Sequence, residues 1–160
     1  MQALARLGSY GEAEIEAALA DDNTASGVEE AAQARASRPS AAAKEEAWRL
    51  SVDAEDVPNQ TQFKIIRGFW QPGQEHLLTP YVQRYLDAAG SVWEQKGHEM
   101  AQAVLKGLFP RLIVTTENIQ TVETWLDTTQ PEPAVRRLVS EGVADLRRAL
   151  QAQACDATAG

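Results

Sequence analysis

Apolar residues recur every three or four positions through most of the chain, which is the spacing of amphipathic helices. Alternating runs of β-branched residues, which are typical of strands, are few. The clearest stripe lies near the end of the chain and consists of Val135, Leu138, Val139, Gly142, Val143, Leu146 and Leu150. Glycines and prolines divide the sequence into pieces of helix length. The pattern predicts an all-α protein, an irregular α-solenoid or helical-repeat array of eight or nine antiparallel helices.

Several helix boundaries can be predicted from capping residues. The run Asp22-Asn23-Thr24 and the hydroxyl of Ser40 each precede a predicted helix, and Thr116 is a candidate cap for a later one. Gly90 is a candidate break within an otherwise helical stretch. Residues 153–160 are small and polar, so we expect a flexible tail there.

Composition and charge exclude several classes of function. The 160 residues carry a net charge of -8, which argues against a nucleic-acid-binding surface. No apolar run reaches the roughly 20 residues that a membrane-spanning helix requires, so no membrane partner is expected. The start of the chain lacks the features of a signal peptide. The single cysteine, Cys155, cannot form an internal disulfide, and a cytoplasmic location is the expectation.

One short motif resembles the zinc-binding helix of metallopeptidases. In GHEMAQAVL, His98 and Glu99 begin an HExxH pattern, but the position of the second histidine holds Gln102. A zinc site of this kind needs two histidines one helical turn apart and usually a third ligand. The only other histidine, His76, has no motif that ties it to His98. We therefore expect no metal site, no cofactor site and no catalytic residue in this chain, which also lacks a GxSxG elbow and a glycine-rich phosphate loop.

Two surfaces have both a functional and a structural interpretation. The pairs Arg136-Arg137 and Arg147-Arg148 share one side of the last predicted helix. They are candidates to bind an acidic peptide or another domain, and the alternative is a solvated face with intrahelical ion pairs. In the stretch GFWQPGQE, polar amides flank a Pro-Gly turn after a very apolar helix. These amides line a concave surface, or the stretch is an ordinary helix-helix turn.

Long stretches of the sequence resemble a known family. The segments LGSYGEAEIEAALADDNTASG, ARASRPSAAAKEEAWRL, NQTQFKIIRGFWQPGQEHLLTPYVQRYL and AQAVLKGLFP are similar to the C-terminal helical domain of actinobacterial aminopeptidase N, a gluzincin zinc aminopeptidase. The likeness runs from about residue 4 to about residue 156, and GFWQPGQEHLLTPYVQRY is its most distinctive part. It implies that residues 1–152 are part of one C-terminal α-helical domain, with upstream helices and the catalytic domain absent from this sequence.

The resemblance also implies a role for the chain. In this family the zinc ligands and the residues that bind the substrate's free amine belong to the catalytic domain, so the GHEMAQ match is accidental. The helical domain covers the catalytic cleft, and its implied partners are the catalytic domain of the same polypeptide and peptide substrates. The candidate peptide-facing residues are Lys64, Arg67, Gln71 and Gln74. The alternative hypothesis is a stand-alone helical-repeat module that binds a protein, and a self-contained hydrolase is disfavoured.

Overall fold

A computed structural model describes the backbone of residues 2–159, and within that range it contains helices but no strand. The helices are α1 (Gln2–Arg6), α2 (Glu12–Asp21), α3 (Ala25–Ser37), α4 (Ala41–Val52), α5 (Asn59–Phe69), α6 (Glu75–Leu78), α7 (Tyr81–Gln95), α8 (His98–Gly107), α9 (Thr116–Thr129) and α10 (Pro133–Ala159). Eight of them have at least ten residues, and the prediction of an all-α helical array is confirmed. No helix in the described range is both long and apolar enough to cross a membrane.

The chain divides into two compact units, residues 1–78 and residues 79–160. In the first unit, α3 is the central helix and packs against α1, α2, α4 and α5. Small residues on α3 make this possible, because Ala31 and Ala34 are fully buried in a cluster with Ala5 and Ile15. Helix α5 packs against both α3 and α4, so the unit is built around these three helices.

Helices α3 and α5 approach each other closely at Gly68. A Cβ atom at this position would lie 2.5 Å from the carbonyl oxygen of Gln33 and 2.8 Å from the Cβ of Ala36. Real Cβ atoms do not make contacts this short, so only glycine allows the two backbones to meet here. The apolar residues on either side of Gly68 can therefore be buried.

Two of the predicted caps are confirmed and one is wrong by a single residue. Thr24 accepts a hydrogen bond from the backbone N–H of Gly27 (3.1 Å), and Ser40 accepts one from Ala43 (3.2 Å). The cap of α9 is Thr115, not Thr116, because the Thr115 hydroxyl accepts the N–H of Asn118 (3.1 Å). Two adjacent threonines satisfy the capping pattern equally well, and only the backbone geometry selects between them.

The second unit contains α7 to α10, and α10 packs against α7, α8 and α9. Its centre includes Tyr85, whose hydroxyl donates to the carbonyl of Leu105 (2.9 Å) and whose ring meets that of Phe109 edge-on. Burial raises the pKa of the Tyr85 hydroxyl. Helix α7 continues through Gly90, so the predicted break does not occur.

The last helix extends further than the sequence pattern predicts, since α10 ends at Ala159. The side chains of residues 151–157 are exposed. That residues 1–152 are part of one domain, and that residues 153–160 are a flexible tail, both stay predictions. Met1 and Gly160 lie outside the described residues.

Candidate functional site

The turn after α5 contains the most distinctive part of the sequence. Gly73 has a φ of 84°, a left-handed conformation that glycine adopts without strain, so the chain reverses directly after Pro72. The N–H of Gly73 donates to the carboxylate of Glu75 (3.0 Å). This hydrogen bond holds the pKa of Glu75 below its usual value. The turn is thus stabilised by its own residues.

Gln74, one of the candidate peptide-facing residues, lies inside the first unit. Its side chain is 3 % exposed, and its amide nitrogen donates to the carbonyl oxygens of Arg6 and Ser37, each at 3.1 Å. Arg6 and Ser37 are the last residues of α1 and α3, whose final carbonyls have no partner within their own helices. Gln74 therefore joins two helix ends, and this is a structural role.

The other three candidates lie outward from α5 and its turn. Lys64 is half-buried, Arg67 is exposed and Gln71 is half-buried. Lys64 and Arg67 are three residues apart and so share a face of α5, opposite the buried Gln62, Ile66 and Phe69. The amide nitrogen of Gln71 donates to the carbonyl of Gly68 (3.1 Å), which caps the end of α5. Contact with a peptide stays a prediction for all four residues.

A buried lysine lies at the point where α3, α4 and α5 meet. Lys44 is fully buried, and its amine donates to the carbonyls of Ala36 and Phe69, each at 2.8 Å. Both carbonyls belong to the last turns of their helices, α3 and α5. The amine also lies 5.7 Å from the centre of the Phe69 ring. Burial lowers the pKa of Lys44 to about 7.

Capping of one helix by a side chain from another recurs through the chain. Gln62 of α5 is 4 % exposed and donates to the carbonyl of Ser51 (2.8 Å) in the last turn of α4. Arg136 of α10 donates to the carbonyl of Leu126 near the end of α9. Long polar side chains thus satisfy carbonyls that would otherwise be buried without a partner.

A groove of about 750 Å³ lies in the first unit between α3, α4 and the start of α5. Its lining is small and apolar for the most part, with contributions from Ala32, Ala36, Ala43, Ala47 and Ile65. Val28 lines it as well and is 42 % exposed. A concave apolar surface of this volume is in the range of known ligand sites.

The three arginines that line the groove are paired with carboxylates. Arg38 donates to Glu12 (2.7 Å), as does Arg35 (2.6 Å). Arg49 makes two hydrogen bonds to the carboxylate of Glu46 (2.7 and 2.8 Å), and these hold the pKa of Glu46 below its usual value. Because each guanidinium has a carboxylate partner, the groove suits an uncharged group better than an anion.

The partial zinc motif forms an ordinary helical contact in the structure. His98 and Gln102 lie one turn apart on α8, and the Gln102 amide nitrogen is 2.8 Å from the His98 Nε2. The His98 ring also packs edge-on against Trp93. Within residues 2–159, no group of three or more histidine, cysteine or acidic side chains is arranged to hold a metal ion. The residues described here do not fit a zinc site.

The arginine pairs on α10 favour the interpretation as a solvated face. Arg137 is paired with Glu141 (3.0 Å) and Arg148 with Asp145, within the same helix. Arg147 is paired with Glu123 on α9. All three arginine side chains are more than half exposed, so these ion pairs are screened by solvent and contribute little to stability.

Lys44 and Gln62 were not among the predicted residues, although the sequence contains a signal for each. Lys44 is four residues before Trp48 and therefore lies on the apolar stripe of its helix. Gln62 is likewise four residues before Ile66. A long polar side chain within an apolar stripe indicates a buried group with partners elsewhere in the chain, but it does not indicate which ones.

The class of protein follows from comparison with known families. Residues 1–148 match the family described as ERAP1-like C-terminal domain. The chain belongs to this family. It is therefore a C-terminal helical domain, in agreement with the all-helical structure of residues 2–159.

A characterised relative makes the relationship more specific. The chain is 44 % identical to aminopeptidase N of Streptomyces lividans over 159 residues, which is 99 % of this chain. It spans 19 % of the length of that protein. The chain is thus homologous to a part of an aminopeptidase N-like enzyme, and the resemblance stated from the sequence is confirmed.

Proposed function

We propose that this chain is the C-terminal helical domain of a zinc-dependent aminopeptidase N that removes N-terminal residues from peptides. In this proposal the domain shapes the substrate chamber and is itself catalytically inert. The observation that carries the proposal is the 44 % identity across 99 % of the chain. The same identity favours this function over a stand-alone protein-binding module.

The zinc and the residues that activate water belong, in this proposal, to the catalytic domain of the same polypeptide. Residues 2–159 supply no cluster of potential ligands, so no chemical step is assigned to them. In this proposal, residues 2–159 supply a surface that shapes the substrate chamber. The partners are the catalytic domain and peptide substrates, and a cytoplasmic location is part of the proposal.

The outer face of α5 is the proposed contact for the distal part of a peptide. Arg67 is exposed and Lys64 is half-buried, so their cations are available to a carboxylate beyond the reacting end of a long substrate. A short substrate that fills only the catalytic site would not reach them. The proposed role therefore predicts a dependence on substrate length.

Charge reversal at these two positions tests the role in the complete polypeptide. We expect Lys64→Glu with Arg67→Glu to raise the KM for peptides of about ten residues with acidic C-terminal ends by roughly threefold to tenfold, since two solvent-exposed ion pairs would be lost. The KM for a single-residue chromogenic amide should not change. Steady-state kinetics with both substrates measures the difference.

The control is a second double variant with the same change in net charge. Arg6→Glu with Lys106→Glu reverses two exposed cations outside α5 and should leave both KM values unaltered. Equal changes for the short and the long substrate, or equal effects of the two double variants, would contradict the proposed contact.

A further inference from the structure

The amine of Lys44 is buried without a counter-charge. Its partners are two backbone carbonyls and an aromatic ring, and among the described residues it has no carboxylate partner. Lysines are almost never fully buried unless they are paired with an opposite charge. The arrangement therefore calls for an explanation in terms of the protonation state of the amine.

The number of hydrogen-bond acceptors matches the neutral amine. An ammonium group has three N–H donors, whereas a neutral amine has two donors and a lone pair. The carbonyls of Ala36 and Phe69 supply two acceptors, each at 2.8 Å. The third donor of an ammonium group would be buried without an oxygen acceptor, with only the Phe69 ring near it, which is unfavourable in an apolar interior.

We propose that Lys44 is a pH-sensitive staple, whose neutral amine ties the ends of α3 and α5 to α4 and whose protonation loosens these three helices. The same helices line the groove, and Ala36 is both an acceptor of the Lys44 amine and part of the groove lining. Ala43 and Ala47, on either side of Lys44 in α4, line it as well. A change in the staple is thus transmitted to the groove walls.

No neighbouring ionisable group accounts for the state of Lys44. The carboxylates on the helices packed around it, α3, α4, α5 and α6, are Glu29, Glu30, Glu45, Glu46 and Glu75. The cationic or titratable side chains there are Arg35, Arg49, Lys64, Arg67 and His76. None of them shifts the pKa of Lys44, which burial alone lowers from 10.5 to about 7. The negative ends of the α3 and α5 dipoles oppose this effect, because they favour a cation.

The sign of the pH dependence follows from the direction of the shift. The folded state loses the Lys44 proton near pH 7, whereas the unfolded state keeps it up to about pH 10.5. Between these values the unfolded chain binds more protons, so stability rises with pH. As pH falls from 10.5 to about 7, Lys44 lowers the free energy of unfolding, and below about pH 7 its effect no longer changes.

The direct test is the titration of the lysine side chains by NMR in the 160-residue chain. There are four lysines, Lys44, Lys64, Lys96 and Lys106, so their Cε signals can be resolved and assigned. We expect the Lys44 signal to titrate near pH 7. The backbone amide signals of residues 36–38 and 69–71 should shift with the same midpoint. If the Lys44 signal titrates above pH 10, the amine is an ammonium group held by the two helix ends, and the proposal is overturned.

A second measurement tests the coupling to stability. From the two pKa values, the unfolding equilibrium constant should fall on the order of 100-fold between pH 7 and pH 9.5 through Lys44 alone. Lys44→Met should lack this part of the pH dependence, and Lys106→Met, at an exposed position, should retain it. Identical pH dependence in the wild-type chain and Lys44→Met would overturn the staple. If Lys44→Met does not fold, the NMR titration of the wild-type chain still decides.

Discussion

Replacement of Phe69 by alanine is expected to lower the free energy of unfolding of the chain by about 3 to 5 kcal/mol, the cost of removing a buried phenylalanine side chain. Phe69 is fully buried at the end of α5. Its ring lies 6.0 Å from that of Trp48 and 5.5 Å from that of Trp70, measured between ring centres. Truncation would leave a cavity between two tryptophans and expose the Lys44 amine to a less well packed interior.

Urea denaturation followed by tryptophan fluorescence measures this effect. The matched control is Leu7→Ala, because Leu7 is also a large apolar residue of the first unit but is 68 % exposed. We expect the control to change the free energy of unfolding by no more than about 0.5 kcal/mol. Similar losses for the two variants would contradict the burial of the Phe69 side chain at the end of α5.

Gly68→Ala is expected to destabilise the chain by about 2 to 3 kcal/mol, although alanine is the better helix former. The added methyl group would meet the Gln33 carbonyl oxygen at 2.5 Å. A backbone atom cannot turn aside as a flexible side chain can, so α3 and α5 would have to move apart. The same denaturation measurement gives the magnitude.

Gly90→Ala, at a second helical glycine, is expected to stabilise the chain. Gly90 is exposed on α7, and a Cβ atom there would have no neighbour within 4 Å. Only the backbone preference of alanine over glycine for the helix remains, so we expect the free energy of unfolding to rise by roughly 0.5 to 1 kcal/mol. If both Gly68→Ala and Gly90→Ala raise the free energy of unfolding, α3 and α5 are not in close contact at Gly68.

The helices themselves were largely predictable, because their signals are local. The caps Thr24 and Ser40 stand immediately before the helices that they begin, and apolar stripes mark the longer helices. The exceptions have local reasons as well. Helix α1 has only five residues, which is too short for a periodic pattern, and Gly90 does not break α7 because the flanking turns are packed.

The buried polar contacts were not predictable, because their partners are distant in sequence. Gln74 reaches the carbonyl of Arg6, 68 residues away, and Lys44 reaches that of Phe69, 25 residues away. The amide of Gln74 and that of Gln71 look alike in the sequence, yet one is buried and the other is half-exposed. Which of two neighbouring amides points inward depends on the packing of α1 and α3, and no local pattern contains that information.

The proposed function could be inferred only from similarity over the whole chain. The short match around His98 suggests a metal site, whereas the structure shows a histidine–glutamine contact one turn apart on an ordinary helix. The lining of the groove and the outer face of α5 have a chemistry that is compatible with many partners. The partners named in the proposed function rest on the relationship to aminopeptidase N.

The proposal that this chain is catalytically inert by itself can be tested by an activity assay of the 160-residue chain with added zinc and an alanyl or leucyl chromogenic amide. We expect no turnover above the blank, because residues 2–159 contain no cluster of potential metal ligands. Reproducible turnover by the purified chain that a chelator abolishes would contradict it.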